Sequence, residues 1–298
     1  MIERFRSGLS VSEEAEQLGL LSGLTGRWVG KGFNLISLPD FDRNPPSTGP
    51  GLFRLLMNAT LETIEFKPIG GPVPNRGSEL THDSSKGQDD INLFGLHYLQ
   101  SISDSNTGEA LHLEPGFWLN VPETSVPPAS ASIVRQASIP HGTSILLVGK
   151  SFHSPDGKPH FAEANTAPTK VGGGQLPLDY LMPFQNMPLP EPFTDRAIVK
   201  NPNLFLEAAI APFKKHIVET VVLEATSRPD IGVLNIPFLK NAENNNAAAT
   251  NVTTTFWIET VKPPTGRPFH VLQYTQNVTL NFVGIDWPHI SVGTLFLQ

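Results

Sequence analysis

The chain has 298 residues, a formal net charge of −7 and no clustered Lys or Arg, which argues against nucleic acid or an anionic membrane surface as a partner. It contains no cysteine, so disulfides, thiolate haem ligation, iron–sulfur clusters and Cys-zinc sites are excluded. Charged residues make up only 16%, beside 25 Gly and 28 Pro, a balance that predicts many short strands joined by tight turns.

The first residues hold no apolar stretch of signal-peptide length, and no window approaches the ~18 apolar residues of a spanning helix. The expectation is a soluble, cytoplasmic protein with one domain over 1–298. In chain order, Ser10-Val11-Ser12-Glu13 reads as a capping box opening an N-terminal helix within 10–23, with Gly19 or Gly23 as its stop. Trp28 then reads as a core plug beneath that helix. Strand patterning follows at 27–38, 52–68, 91–101, 110–121, 130–139, 143–152 and 160–169, then at 215–227, 232–239, 251–262, 269–283 and 289–297. Asn106-Thr107-Gly108, Asp156-Gly157 and Pro263-Pro264-Thr265-Gly266 supply hairpin chemistry between them.

Residues 170–212 break this rhythm. Gly172-Gly173-Gly174, a dense run of prolines and a helix over 203–211 stopped by Pro212 predict a long lid insertion folded over a barrel mouth. Residues 241–250 read as an exposed polar tip. The predicted fold class is all-β: a closed up-and-down antiparallel barrel of about ten to twelve strands, large enough to hold a ligand.

The last strand carries the strongest functional signal. In Asp286-Trp287-Pro288-His289-Ile290-Ser291-Val292-Gly293-Thr294-Leu295-Phe296, residues His289, Ser291 and Gly293 share one face, opposite Ile290, Val292, Thr294 and Phe296. An imidazole flanked by a hydroxyl and a hydrogen leaves volume beside itself for something flat and large with a metal at its centre.

Leu24-Thr25-Gly26-Arg27-Trp28-Val29-Gly30-Lys31-Gly32 resembles the Gly-Thr-Trp-x-Gly-x-Gly opening of the nitrobindins, haem-binding barrels of the lipocalin-like superfold. Tyr98-Leu99-Gln100 followed by Thr107-Gly108-Glu109-Ala110-Leu111-His112-Leu113-Glu114-Pro115-Gly116-Phe117 is similar to that family's hairpin. The Ile139-Pro140-His141-Gly142-Thr143 turn and the Pro288-His289 strand fall in the same order. The resemblance covers roughly 15–155 and 250–298; much of 155–250 and the loop 39–51 have no counterpart. It implies haem b as cofactor, His289 as the proximal iron ligand, and Leu111, His112, His141, Ser291 and Gly293 around the haem. It also implies small diatomic or peroxide partners, through NO binding, peroxynitrite isomerisation or weak peroxidase activity.

Bland readings stand beside these. Strict alternation puts His112 with Glu114, Gly116 and Trp118, and apolar parity sends Leu111 inward and His112 outward, unless a bulge at Pro115-Gly116 resets the parity. His141 either overhangs the pocket or is a plain turn residue. His153 and His160 either face each other across a hairpin or are solvated, and His216 and His270 lack metal-ligand spacing. The carboxylates of Asp89 and Asp90 read as surface. Gly172–Gly174 lacks the context of a phosphate loop, and no nucleophile elbow occurs. The competing function is a carrier of an apolar molecule, a fatty acid or isoprenoid, without haem.

Overall fold

The computed structural model describes residues 10–40, 53–75, 77, 87–88, 90–228, 231–240 and 247–298. The expected loop 39–51, the Asp89 carboxylate and most of the expected tip at 241–250 therefore lie largely outside the described residues. Ten antiparallel strands run in chain order: β1 Gly26–Pro39, β2 Phe53–Pro68, β3 Ile91–Asp104, β4 Ala110–Val121 and β5 Ser132–Ile139, then β6 Thr143–His153, β7 Ile217–Thr226, β8 Ala248–Val261, β9 Phe269–Phe282 and β10 Ile285–Leu297. Each pairs with its successor, and β10 pairs back onto β1 from Trp28↔Leu297 to Leu35↔Ile290. The sheet closes into an up-and-down barrel, which leaves no long edge to template aggregation.

Two sequence-predicted strands are not barrel strands. Residues 160–169 are irregular apart from a pair, Thr169–Lys170, that meets β10 at Ile285 and Asp286. Residues 232–239 give only Val233–Asn235, laid beside β6, and a 3₁₀ turn. Both runs are apolar enough to be strands, but closure of the barrel leaves them nothing to pair with except its rim.

The lower end, where β1 begins, is plugged from the N-terminus. Helix α1 (Val11–Leu18) starts at the expected capping box: Glu13 N–H donates to Ser10 Oγ at 3.3 Å, and Ser10 N–H to Glu13 Oε2 at 2.8 Å. A 3₁₀ turn, Gly19–Leu24, then drives Leu21 and Leu24 into the barrel, where the buried Trp28 indole donates to Leu24 O at 2.7 Å. Above the plug, Ile64, Phe66, Leu96, Trp118, Phe256 and Leu272 fill the interior.

The long insertion lies between β6 and β7 and carries α2 (Leu178–Asn186), α3 (Ala197–Lys200) and α4 (Asn203–Ile210). Rather than spanning the mouth, its apolar side lies along the outer wall. Phe184, Ile198, Val199 and Leu206 pack against Phe33 and Leu35 of β1, Leu55 of β2, Trp257 of β8 and Ile290 and Val292 of β10. Gln273 and Thr275 of β9 clamp α4 with bonds to Leu206 O (2.9 Å) and Asn203 Oδ1 (2.5 Å). The outward faces of these strands are themselves apolar, so burying them here stabilises by about 1.5–3 kcal/mol per large side chain. The covering satisfies that demand where a lid over the mouth would not.

One group under this cover is anomalous. Glu259, outward on β8 between Trp257 and Val261, is fully buried, and neither carboxylate oxygen has a hydrogen-bond partner among the described residues. Burial pushes its carboxyl well above the ordinary range, so the folded state holds this proton more tightly than the unfolded chain does. Its contribution is then fully present below the unfolded pKa of ~4.3 and is lost as pH rises toward the folded value. Glu259→Gln should flatten that loss, raising stability at alkaline pH by roughly 1–3 kcal/mol relative to its effect in acid. Denaturant unfolding across a pH series checks this; an unchanged pH slope would refute it.

Candidate functional site

The upper half of the barrel encloses a cavity of about 210 Å³. Its apolar rim comes from Ile36 and Leu38 of β1, Leu56 of β2, Ile102 of β3 and Leu111 of β4. Its polar wall comes from Asn34, Glu62, Gln100, Tyr274, Gln276 and Ser291, and three histidines converge on it: His112, His141 and His289.

His289 is placed by the parity of β10, with Ile290 and Val292 pinned outward beneath the insertion. Its Nε2 lies 2.9 Å from Asn34 Oδ1, which also accepts from Ser291 Oγ at 2.9 Å. An amide oxygen only accepts, so this nitrogen carries the proton and the other keeps a free lone pair. Burial, reinforced by any charge on His112 and His141, lowers the His289 pKa to about 3, and the ring is neutral at physiological pH. His141 overhangs the rim from the β5–β6 turn, its ring centroid 5.5 Å from that of His112; burial and His112 both lower its pKa.

His112 points inward on the same face as Glu114, Gly116 and Trp118, against the expectation from apolar parity. A bulge lies at Leu111 itself, since Ile102 pairs with His112 while Ser103 pairs with Ala110, and the alternation from His112 to Trp118 is unbroken. Leu111 is the extra residue and also reaches the cavity. Beyond the bulge, Glu114, Gly116 and Trp118 face inward, and Leu113 and Phe117 are left 44% exposed outside. A buried charge network outweighs those two apolar side chains.

That network lies behind the cavity lining and reaches it at His112 and Gln276. Glu114 Oε1 accepts from Arg135 Nη2 at 2.5 Å and from the Tyr98 hydroxyl, and Glu114 Oε2 lies 3.1 Å from His112 Nε2. Arg135 Nε donates to Tyr98 Oη at 2.9 Å, and Nη1 donates to Thr254 Oγ1 at 3.1 Å and Gln276 Oε1 at 2.7 Å. Its guanidinium carbon lies 5.4–5.6 Å from the ring centroids of Tyr98, Trp118 and Phe256. Burial alone would raise the Glu114 pKa, but Arg135, His112 and Tyr98 hold it well below the usual carboxylate range. A second carboxylate, Glu62, accepts from Tyr274 Oη at 2.6 Å and Thr60 Oγ1 at 2.7 Å. Burial raises its pKa against those bonds.

The expected residues His289, Ser291, Leu111, His112 and His141 thus line one cavity. Gly293 does not. A Cβ there would meet Tyr274 Cε1 at 2.4 Å, and one on Gly32 would meet Glu62 Oε1 at 2.3 Å. These glycines make room for the Glu62–Tyr274 pair on the cavity's polar wall, and the volume expected beside Gly293 is filled. His153 and His160 do not face each other: His153 meets Glu219 at 3.3 Å and His160 meets Asp156 at 2.9 Å. Among the described residues no three or more His, Asp or Glu side chains gather in metal-holding geometry. Sequence reading passed over Arg135, although Ile133-Val134-Arg135-Gln136-Ala137-Ser138-Ile139 carries the signal: a cation on the same alternating face as Ile133, Ala137 and Ile139.

No family model matches the chain, and no curated protein matches it. Among solved structures it is similar to the crystal structure of Rv2717c from M. tuberculosis, with 13% identity, 97% of this chain and 99% of that chain covered, and a TM-score of 0.45. A likeness that distant carries no argument about function.

Arg135→Met leaves Glu114 buried without its cation and should cost roughly 3–5 kcal/mol of unfolding free energy. Adding Glu114→Gln should recover part of that loss; denaturant titration of both variants checks the pair, and additive losses would contradict the coupling.

Proposed function

We propose that the barrel binds haem b at the upper cavity, with His289 as the axial ligand of a ferric iron. The observation carrying this reading is the state of His289: a neutral imidazole inside the barrel, one nitrogen held by an amide oxygen and the other free. Axial histidines are oriented by such an acceptor on the second nitrogen. A turn of the ring about Cβ–Cγ exchanges which nitrogen faces the cavity.

The donor chemistry fits haem, and the lining suits a macrocycle seated at the rim with one edge enclosed. The enclosed 210 Å³ is below the ~300–1,000 Å³ of most ligand sites, so the remainder of the ring needs the apolar rim of Ile36, Leu38 and Leu56 to turn outward. Bound haem would supply an iron able to take NO, peroxide or peroxynitrite. Around it, Ile102 and Leu111 exclude water, Asn34 and Ser291 fix the His289 ring, and His112 and His141 face the open side. The resemblance to nitrobindins points the same way. The modest enclosed volume favours a second reading, a carrier of a smaller apolar molecule without haem. A fatty-acid carboxylate would find no uncommitted guanidinium among the described lining residues, because Arg135 is bound to Glu114.

Hemin titration separates the two readings. Wild type should develop a Soret band at one equivalent, and His289→Ala should weaken hemin binding at least tenfold or shift the band, with added imidazole restoring it. Unchanged affinity and spectrum in His289→Ala would defeat the assignment, and a wild type that binds no hemin would leave the carrier reading.

A further inference from the structure

The insertion leaves a recess of its own on the outside of the barrel. Where residues 154–165 cross the outer wall of β6 to β9, they and Asn203 of α4 bound a cleft of about 490 Å³ against the sheet. That volume falls within the ~300–1,000 Å³ of most small-molecule sites. Strand pairing builds its wall: outward along β8 and β9, Trp257 stands beside Gln273, Thr255 beside Thr275 and Thr253 beside Asn277. The facing edge is held in place. Asn203 Nδ2 donates to Ala162 O at 2.7 Å, the Ala164 N–H to Asn201 Oδ1 at 3.0 Å, and Thr275 Oγ1 to Asn203 Oδ1 at 2.5 Å. Phe161 meets the Trp257 indole edge-on, ring centroids 4.9 Å apart, and backs the apolar end. We propose that this cleft is a binding site for a neutral saccharide.

Charge, polarity and packing each point to that class. Among the described residues no Lys or Arg side chain lines the cleft, whereas Glu163 and Glu224 do, so a phosphate or carboxylate would meet its own sign. Lys150 lies 3.5 Å from Glu224 and 5.0 Å above the Phe152 ring, taking the place that an organic cation would need. His160 is held by Asp156 at 2.9 Å. What is left is uncharged. The hydroxyls of Thr253 and Thr255 make no hydrogen bond among the described residues, and Asn277 Oδ1 is closed to water without one. A threonine hydroxyl both donates and accepts, as a sugar hydroxyl does, and an amide offers one group of each kind. Phe152, Val222 and Trp257, side by side on β6, β7 and β8, supply apolar surface for the C–H face of a sugar ring. A wall that served the sheet alone would pair the Asn277 oxygen, because a buried acceptor without a partner is destabilising. A half-turn of that amide presents the oxygen to the cleft.

The test is an amide NMR titration of the full chain with glucose, galactose, mannose and maltose, beside glucuronate as an anion and tetramethylammonium as a cation. At least one neutral sugar should give saturable shifts at Ala164, Thr253, Thr255 and Asn277 and at the Trp257 indole, and the two ions should give none there. A tighter grip on maltose than on glucose identifies a saccharide chain as the source, and the reverse a free sugar; both support the site. Two variants follow. Thr253→Val with Thr255→Val keeps the β-branched wall and removes both hydroxyls, so affinity should fall about tenfold, as expected for the loss of one or two hydrogen bonds. Asn277→Val should weaken binding by a similar factor while leaving the unfolding midpoint unchanged or higher, because the oxygen it removes has no partner in the free protein. No saturable shift with any of the sugars, equal shifts with either ion, or unchanged affinity in the threonine variant would overturn the proposal. An Asn277→Val that loses stability and keeps its affinity would overturn it too, and if that variant does not fold the threonine variant decides. The proposal stands whether or not the barrel takes hemin.

Discussion

The buried Arg135–Glu114 pair is the contact on which the interior depends. Taking two charges out of water costs several kcal/mol per ion, and attraction offsets this only when the remaining donors and acceptors are satisfied. Here they are. Arg135 reaches Glu114 on β4, Tyr98 on β3, Thr254 on β8 and Gln276 on β9, and three aromatic rings surround its guanidinium. One side chain on β5 therefore ties strands across the barrel and divides the interior. Below it the filling is apolar; above it hydroxyls, amides and histidines face a cavity. Without that layer nothing would stop leucine and phenylalanine filling the upper half as well.

The insertion contributes rigidity from outside. Ile290 and Val292 sit beneath the insertion while His289 and Ser291 point inward from the same strand. A strand packed on both faces holds its side chains in one register, because a slip by one residue would bury His289 outside and expose Ile290 to the cavity. On the next strand the same device acts through Phe33 and Leu35, which fix Asn34 against His289. The candidate ligand and its orienting partner are thus both set by packing on the wall behind them, the arrangement that precise sites favour.

Much of this was legible in the sequence. The capping box, ten strands, closure and the inward face of β10 follow from local pattern and punctuation. The residues quoted from the hairpin, Tyr98, Gln100, His112 and Glu114, converge inside the barrel. What was not legible has a common cause. The insertion was read as a lid because composition reports glycine and proline without saying which surface the intervening apolar residues cover; that answer lay in the outward residues Phe33, Leu35, Trp257 and Ile290 of distant strands. His112 was misoriented because counting apolar residues gives Leu113 and Phe117 more weight than one ion pair. Gly293 was taken as empty space because its occupant, Tyr274, comes from the neighbouring strand.

Two histidines of one chain, facing one cavity, illustrate how neighbours assign roles to the same side chain. His289 meets only neutral acceptors and burial, so its charged form is penalised and its lone pair is offered to whatever enters. His112 is backed by a carboxylate that Arg135 keeps ionised. The separation needs both glycine gaps and the guanidinium layer: Gly32 and Gly293 let Glu62 and Tyr274 close the polar wall of the cavity, while Arg135 holds Glu114 behind His112. The cavity thus holds one imidazole among neutral acceptors and one against an ionised carboxylate, and both settings follow from the packing of the barrel.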